Sequence, residues 1–425
     1  MDKFIIEGGY PLIGTVDIKG AKNSMLPIMA ATVLNSHAKG IELHNIPDIY
    51  DMHVMKSILR SLGVEVKYAN NVLKINARTL KSHIIPDILM REMRSSIFLM
   101  GPLLGRLGKV RVTYPGGCSI GPRPIDLHIK GLEALGAQIT EKNGYFFAST
   151  SGLKGTTLHL DYPSVGATEN LMMAAVFAKG KTLIHNAAKE PEIVDLQNFL
   201  NTMGAYVRGA GTETLRIEGV NSLVNCTYRI IPDRIVAGTY LMAAAITGGQ
   251  LLLKNIIPVH LDAVVAKMRE AGVKIKATEV TLKVVESNLR GVETLCTLPY
   301  PGFPTDLQAP MMAMLATAKG NSTIIESVFE ARFKHVEQLN RMKAKISVKG
   351  RKAFIQGVKA LSSAEVVATD LRAGAGLVIA ALGARGTTVV KNINFIDRGY
   401  EGFEKQLQKL GAKIIRVENN VEAMY

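Results

Sequence analysis

Cys118, one of three cysteines in the 425-residue chain, stands in the middle of Tyr114-Pro-Gly-Gly-Cys-Ser-Ile-Gly-Pro-Arg-Pro124. Three glycines and three prolines in eleven residues exclude a helix interior or a central strand, so the stretch reads as an exposed loop. A solvent-reachable thiol five residues from the fixed charge of Arg123 can have a lowered pKa and react as thiolate. A lone cysteine is more commonly a small buried hydrophobe. Against that, a buried loop would strand its backbone polar groups. The residue types alone leave both readings open.

The other residues able to do chemistry recur at turns. Lys22, Arg94, Arg234 and Arg372, with Asp233, Asp306 and Asp370, each lie just before a strongly apolar segment. A second set of turns carries Asp48, Asp51, Arg123, Asp126, Glu190, Glu192, Arg332 and Arg398. Several arginines and a lysine together suit an anion of several charges, although any one alone is commonly a surface ion pair. Aspartate at such a turn is most often a helix N-cap, and spacing does not separate capping from catalysis.

The elements that must position these residues are copies of one unit. A helical pattern closing on Leu-Gly-Ala or a variant returns at Gly63, Gly136, Gly204, Gly272, Lys343 and Gly411, at intervals of 73, 68, 68, 71 and 68 residues. Glycine there is the usual left-handed helix stop, so Lys343 is expected to adopt that conformation at a cost or to end its helix differently. Each unit also carries an earlier helix, apolar on nearly all faces, predicted over 25–34, 97–107, 170–178, 239–247, 310–317 and 374–384. Such a helix belongs inside a domain. A short strand follows, often closed by asparagine (Asn45, Asn186, Asn255, Asn392). The expected fold is α/β, six βαβαββ repeats with helices inside and sheets outside, three repeats per domain, dividing near 228–233. Equivalent helix N-termini should then aim at one region, where their partial positive charge favours phosphates and carboxylates.

Composition bounds the function class. With 47% hydrophobic and 20% charged residues, the chain reads as a soluble globular protein of two or more domains. No segment has the ~18–20 consecutive apolar residues that span a bilayer. The first residues do not read as a signal peptide. Cys118, Cys226 and Cys296 are odd in number and widely spaced, suggesting free thiols and a cytoplasmic location. The net charge of +15 raises nucleic acid as a partner, but the basic residues are scattered and tryptophan is absent. Small anionic substrates drawn into a positive cleft are the second explanation, and plain surface solvation accounts for most lysines.

Taken together, the turns resemble the enolpyruvyl transferases. The matching stretches are Gly20-Ala-Lys-Asn23, Met93-Arg-Ser-Ser96, Pro115 to Gly121 with Arg123-Pro-Ile-Asp126, Ser164-Val-Gly-Ala-Thr168, Glu190 to Asp195, Pro232-Asp-Arg-Ile235, Gly302-Phe-Pro-Thr-Asp306, Ala368 to Ala373 and Ile396-Asp-Arg-Gly-Tyr400. The resemblance implies a two-domain inverse (inside-out) α/β barrel. Its domains would be residues 22–230 and residues 1–21 with 231–425, joined by a double-crossover hinge. It implies, without any cofactor or metal, transfer of the enolpyruvyl group of phosphoenolpyruvate to the 3-hydroxyl of UDP-N-acetylglucosamine, with release of phosphate.

Cys118 would be the acid and the site of a covalent phosphoenolpyruvate adduct. Asp306 would take the hydroxyl proton, with Asp370 a second polar participant. Lys22, also counted as catalytic, would hold phosphoenolpyruvate with Asn23, Arg123 and Arg398, and Arg332 and Arg372 would support its charge. Asn23, Arg94, Arg123, Pro124, Ile125, Asp126, Leu127, Ser164, Val165, Gly166, Asp306, Val328 and Phe329 would contact the nucleotide sugar. Two positions depart from the family pattern, Ala331 for a usual Asn and Pro122 for a small residue. They bear on rate more than on chemistry. The rivals are the shikimate-pathway enolpyruvyl transferase, which lacks the cysteine loop, a UDP-sugar-binding regulator, and a non-catalytic basic repeat protein on nucleic acid.

Overall fold

Six helices are buried on almost every side: Lys22–Ala31, Met100–Leu107, Val165–Ala175, Arg234–Ile246, Gln308–Leu315 and Leu371–Leu382. In the last two every residue is buried, and apart from Gln308 and Arg372 their side chains are apolar or small all round. The structure, a computed structural model, describes residues 2–37, 39–116 and 125–418. Among these, a second helix follows each buried one and shows one apolar face, as in Tyr50–Ser61 and Pro191–Thr202. Five of the six buried helices start earlier than their apolar runs predict, at Lys22, Val165, Arg234, Gln308 and Leu371. Lys22 is the first residue of its helix and Val165 of its own, because a polar first turn carries no hydrophobic signal.

Among the described residues the strands form six separate sheets, five of four strands and one of three. In the sheet of Thr157–His159, Lys181–His185, Thr214–Glu218 and Tyr206–Arg208, the first pair is parallel and the others antiparallel. The other four-stranded sheets repeat that order. In the three-stranded sheet the outer parallel strand is reduced to one bridge, Ile84 to Arg111. Among the described residues no sheet closes into a barrel. Each remains open because the chain leaves it after two antiparallel pairings to begin the next unit. The architecture is mixed α/β.

The described residues fall into two compact units, one within 2–18 and 232–418, the other within 19–116 and 125–231. Each has its own hydrophobic core. The first strands of two units are exchanged in sequence. Ile13–Asp17 pairs in parallel with Gln250–Lys254, and Thr227–Arg229 with Ile41–His44.

Helix stops are as the sequence pattern requires. Gly63, Gly136, Gly204, Gly272 and Gly411 have φ between 86° and 99°, and Lys343 adopts the same region at φ 65°. The asparagines after the short strands are also left-handed, with Asn45 at φ 63° and Asn186 at φ 54°. Their side chains reach the turn that precedes a buried helix: Asn45 donates to the Ile230 carbonyl at 2.9 Å and Asn186 to that of Leu160 at 2.7 Å. These amides thereby tie each short strand to the end of its parallel neighbour. No helix among the described residues is long and apolar enough to cross a membrane.

Candidate active site

Asp306 is the middle residue of the 3₁₀ turn Thr305–Leu307, which runs directly into the buried helix Gln308–Leu315. Its Oδ1 accepts from Arg332 Nη2 at 2.8 Å and its Oδ2 from Arg372 Nη2 at 2.9 Å. The two arginine side chains are 5% and 4% exposed, whereas that of Asp306 is 25% exposed. The guanidiniums are therefore sealed in while one edge of the carboxylate stays reachable. Burial alone would raise the carboxyl pKa. Arg372 and Arg332 outweigh it and hold the group well below the usual carboxylate range. Burial likewise works against the Arg372 charge, and Asp306 more than restores it.

The arginines are aimed by further contacts. Arg372 lies over the Tyr400 ring at 5.6 Å from its centroid and donates to its hydroxyl at 3.3 Å. Arg332 lies over Phe329 at 5.2 Å and donates Nη1 to Thr305 Oγ1 at 2.9 Å. Asp370 accepts from the N–H groups of Arg372 and Ala373 at 2.9 and 3.0 Å, capping the helix that carries Arg372. Asp233 caps Arg234–Ile246 in the same way. Asp306 makes no such cap bond. Two of the three aspartates thus cap a helix, and the third faces cations. Arg398 follows the short helix Asn394–Asp397 and is half-buried.

In the other unit, Lys22 Nζ pairs with Asp51 Oδ2 at 2.7 Å, the partners' side chains being 11% and 2% exposed. Asp51 lies in the first turn of Tyr50–Ser61. The start of the Lys22 helix is tied down by Ser24, which donates to Asp195, and by Ala21 N–H to the Ile231 carbonyl at 2.7 Å. Asn23 is half-buried beside Lys22.

Arg94 opens the 3₁₀ stretch Arg94–Leu99. Burial, with the Arg94 charge nearby, pushes His128 down to about 3 and keeps it neutral. Its Nδ1 then accepts from Asn170 Nδ2 at 2.9 Å. Ser164 caps Val165–Ala175 through Ala167 N–H at 3.3 Å. A Cβ on Gly166 would come within 3.2 Å of Phe98 and 3.4 Å of His128, so side-chain bulk there must displace a ring. Ile125 is buried, Asp126 exposed and Leu127 half-buried at the head of Asp126–Ala134.

Cys118, Arg123 and Pro124 lie outside the described residues. The described approach to them, Tyr114 to Gly116, is tight: a Cβ on Gly116 would lie 1.6 Å from the Arg91 carbonyl oxygen, a place only glycine can occupy.

The sequence matches the family EPSP synthase (3-phosphoshikimate 1-carboxyvinyltransferase) over residues 6–407. The chain belongs to the EPSP synthase family. Its relatives include UDP-N-acetylglucosamine 1-carboxyvinyltransferase 2 of Carboxydothermus hydrogenoformans, 52% identical over 99% of this chain and 100% of that one. UDP-N-acetylglucosamine 1-carboxyvinyltransferase 1 of Caldanaerobacter subterraneus is 53% identical over 97% and 99%. The fold is shared with the enolpyruvyl transferase NikO from Streptomyces tendae, at a TM-score of 0.88 and 23% identity over 98% and 99% of the two chains. EPSP synthase from Acinetobacter baumannii follows at a TM-score of 0.74 and 17% identity, over 98% and 100%.

Three residues of this EPSP synthase family member escaped sequence reasoning. Glu169 is fully buried with neither carboxylate oxygen hydrogen-bonded. Burial first, then Glu192 and Glu190, push its pKa well above the usual carboxylate range. His128 and Glu326 are the others. Each earns its place through neighbours distant in sequence, and no local pattern marks them.

Proposed function

We propose that this chain is a UDP-N-acetylglucosamine 1-carboxyvinyltransferase. It transfers the enolpyruvyl group of phosphoenolpyruvate to the 3-hydroxyl of UDP-N-acetylglucosamine and releases phosphate, the first committed step of peptidoglycan synthesis. The observation that carries this is the full-length identity of about half to relatives bearing that name. The Asp306–Arg332–Arg372 cluster supports it chemically. A carboxylate kept ionised, with an exposed edge, suits an oxygen that loses its proton during bond formation.

In this reading Cys118 protonates the methylene carbon of phosphoenolpyruvate, and the sugar hydroxyl attacks the resulting oxocarbenium-like centre. Asp306 takes the hydroxyl proton. Elimination of phosphate together with a proton of the new methyl group follows, with Asp370 a further polar participant. A strong base is not required, because an oxygen that has just bonded to a cationic carbon is very acidic. The low proton affinity of Asp306 fits that step. Lys22, Asn23, Arg123, Arg332, Arg372 and Arg398 hold phosphoenolpyruvate. Arg94, the 123–127 segment, Ser164 to Gly166, Val328 and Phe329 hold the nucleotide sugar. The architectural counterpart is six repeats in two domains of three, buried helices inside and sheets outside. The half-buried free thiols Cys226 and Cys296 agree with a cytoplasmic location.

A phosphate-release assay with phosphoenolpyruvate decides between this and the shikimate-pathway reading. Release is expected with UDP-N-acetylglucosamine and not with shikimate 3-phosphate. The reverse preference would overturn the assignment.

A further inference from the structure

Glu326 ends the strand Asn321–Glu326 and is 1% exposed. A buried carboxylate needs compensation, and among the described residues this one has no ion-pair partner. It is satisfied by four neutral donors instead. Oε1 accepts from the N–H groups of Val328 and Phe329 at 2.9 and 3.1 Å and from Thr297 Oγ1 at 2.8 Å. Oε2 accepts from Thr305 Oγ1 at 2.9 Å. The same Thr305 oxygen accepts from Arg332 Nη1 at 2.9 Å, and Arg332 grips Asp306. One oxygen therefore shapes the Val328–Phe329 turn. The other fixes the turn that carries Asp306.

We propose that Glu326 is a positioning residue that places the nucleotide-sugar turn and the proton acceptor Asp306 from a single carboxylate, one oxygen serving each. The inference rests on the functional reading above, because that reading gives Val328, Phe329 and Asp306 their roles. The two oxygens make the role separable. Glu326→Gln keeps a carbonyl oxygen for Val328, Phe329 and Thr297. Its amide nitrogen cannot accept from Thr305, and instead points donors at an oxygen that already receives one from Arg332. Glu326→Ala removes both functions. Thr305→Val removes the second alone.

The test combines steady-state kinetics of the full chain with amide hydrogen exchange over residues 327–332. Glu326→Ala should raise KM for UDP-N-acetylglucosamine by about tenfold, lower kcat by about tenfold, and speed exchange at Val328 and Phe329. Glu326→Gln and Thr305→Val should keep that KM within about threefold of wild type and leave the exchange slow, while kcat still falls about tenfold. Should Glu326→Ala not fold, the other two variants carry the comparison. A merely structural role lowers the fraction of active molecules without moving KM. That outcome, or unchanged exchange in Glu326→Ala, or a Gln variant whose KM rises like that of Ala, overturns the proposal. Wild-type enzyme that ignores UDP-N-acetylglucosamine would instead count against the functional reading, and the exchange data would still decide whether Glu326 shapes the turn.

Discussion

Asp306→Asn is expected to lower kcat by about a thousandfold, within the range that a positioned proton acceptor contributes. Asparagine matches the carboxylate in shape and cannot take a proton. The substitution also leaves Arg332 and Arg372, almost wholly buried, facing a neutral amide. Removing one partner of a buried pair costs about 3–5 kcal/mol when nothing replaces it, so the melting temperature should fall as well. Phosphate release and thermal unfolding, measured on the same preparation, separate the two losses. A folded variant within about tenfold of wild-type kcat would remove Asp306 from the proton-transfer step.

The pH dependence follows in sign. Because the folded-state pKa is depressed, the ion pairs contribute stability at every pH above the unfolded aspartate value of about 3.9, and lose it only as pH falls towards the lower folded value. An acid limb in kcat at ordinary pH must therefore arise from another group.

The second large effect is expected at Cys118, which lies outside the described residues. Cys118→Ala should reduce kcat by about a thousandfold, the share of a general acid. Cys118→Asp should retain turnover, since a carboxylic acid can donate the same proton, and should resist the epoxide fosfomycin. The structure supplies the internal control. Cys226 is half-buried and burial pushes its thiol up to about 11, so it is almost entirely protonated at neutral pH and a poor nucleophile. Covalent labelling, mapped by peptide mass spectrometry, should therefore fall on Cys118 in wild type and vanish in the Asp variant. Labelling of Cys226 or Cys296 instead, or an inactive Asp variant, would remove the acid role from Cys118 or restrict it to a thiol.

How much of this was legible in the sequence depends on how local each cause is. The left-handed stops at Gly63 and Gly411 were readable because glycine leaves few alternatives at a helix end, and the repeat itself carried Lys343 into the same conformation. The buried helices were readable from their lack of a polar face, but not their first residues, among which Lys22, Asn23 and Arg234 are polar. An aspartate that caps a helix and one that meets cations look alike in sequence. The structure separates Asp370, bonded to two backbone N–H groups of its own helix, from Asp306, bonded to guanidiniums 26 and 66 residues away. Glu326 reads in sequence as the end of a strand. Its importance comes from Thr297 and Thr305, on two other segments.

Turnover in D2O tests the whole account most directly. Addition of a proton to the methylene carbon makes a methyl group, and elimination removes one of its three hydrogens. The nucleotide-sugar product should therefore carry deuterium in its vinyl methylene and the enolpyruvyl group on the 3-oxygen, both visible by NMR and mass spectrometry. A product without deuterium, or one substituted at a different hydroxyl, would contradict it.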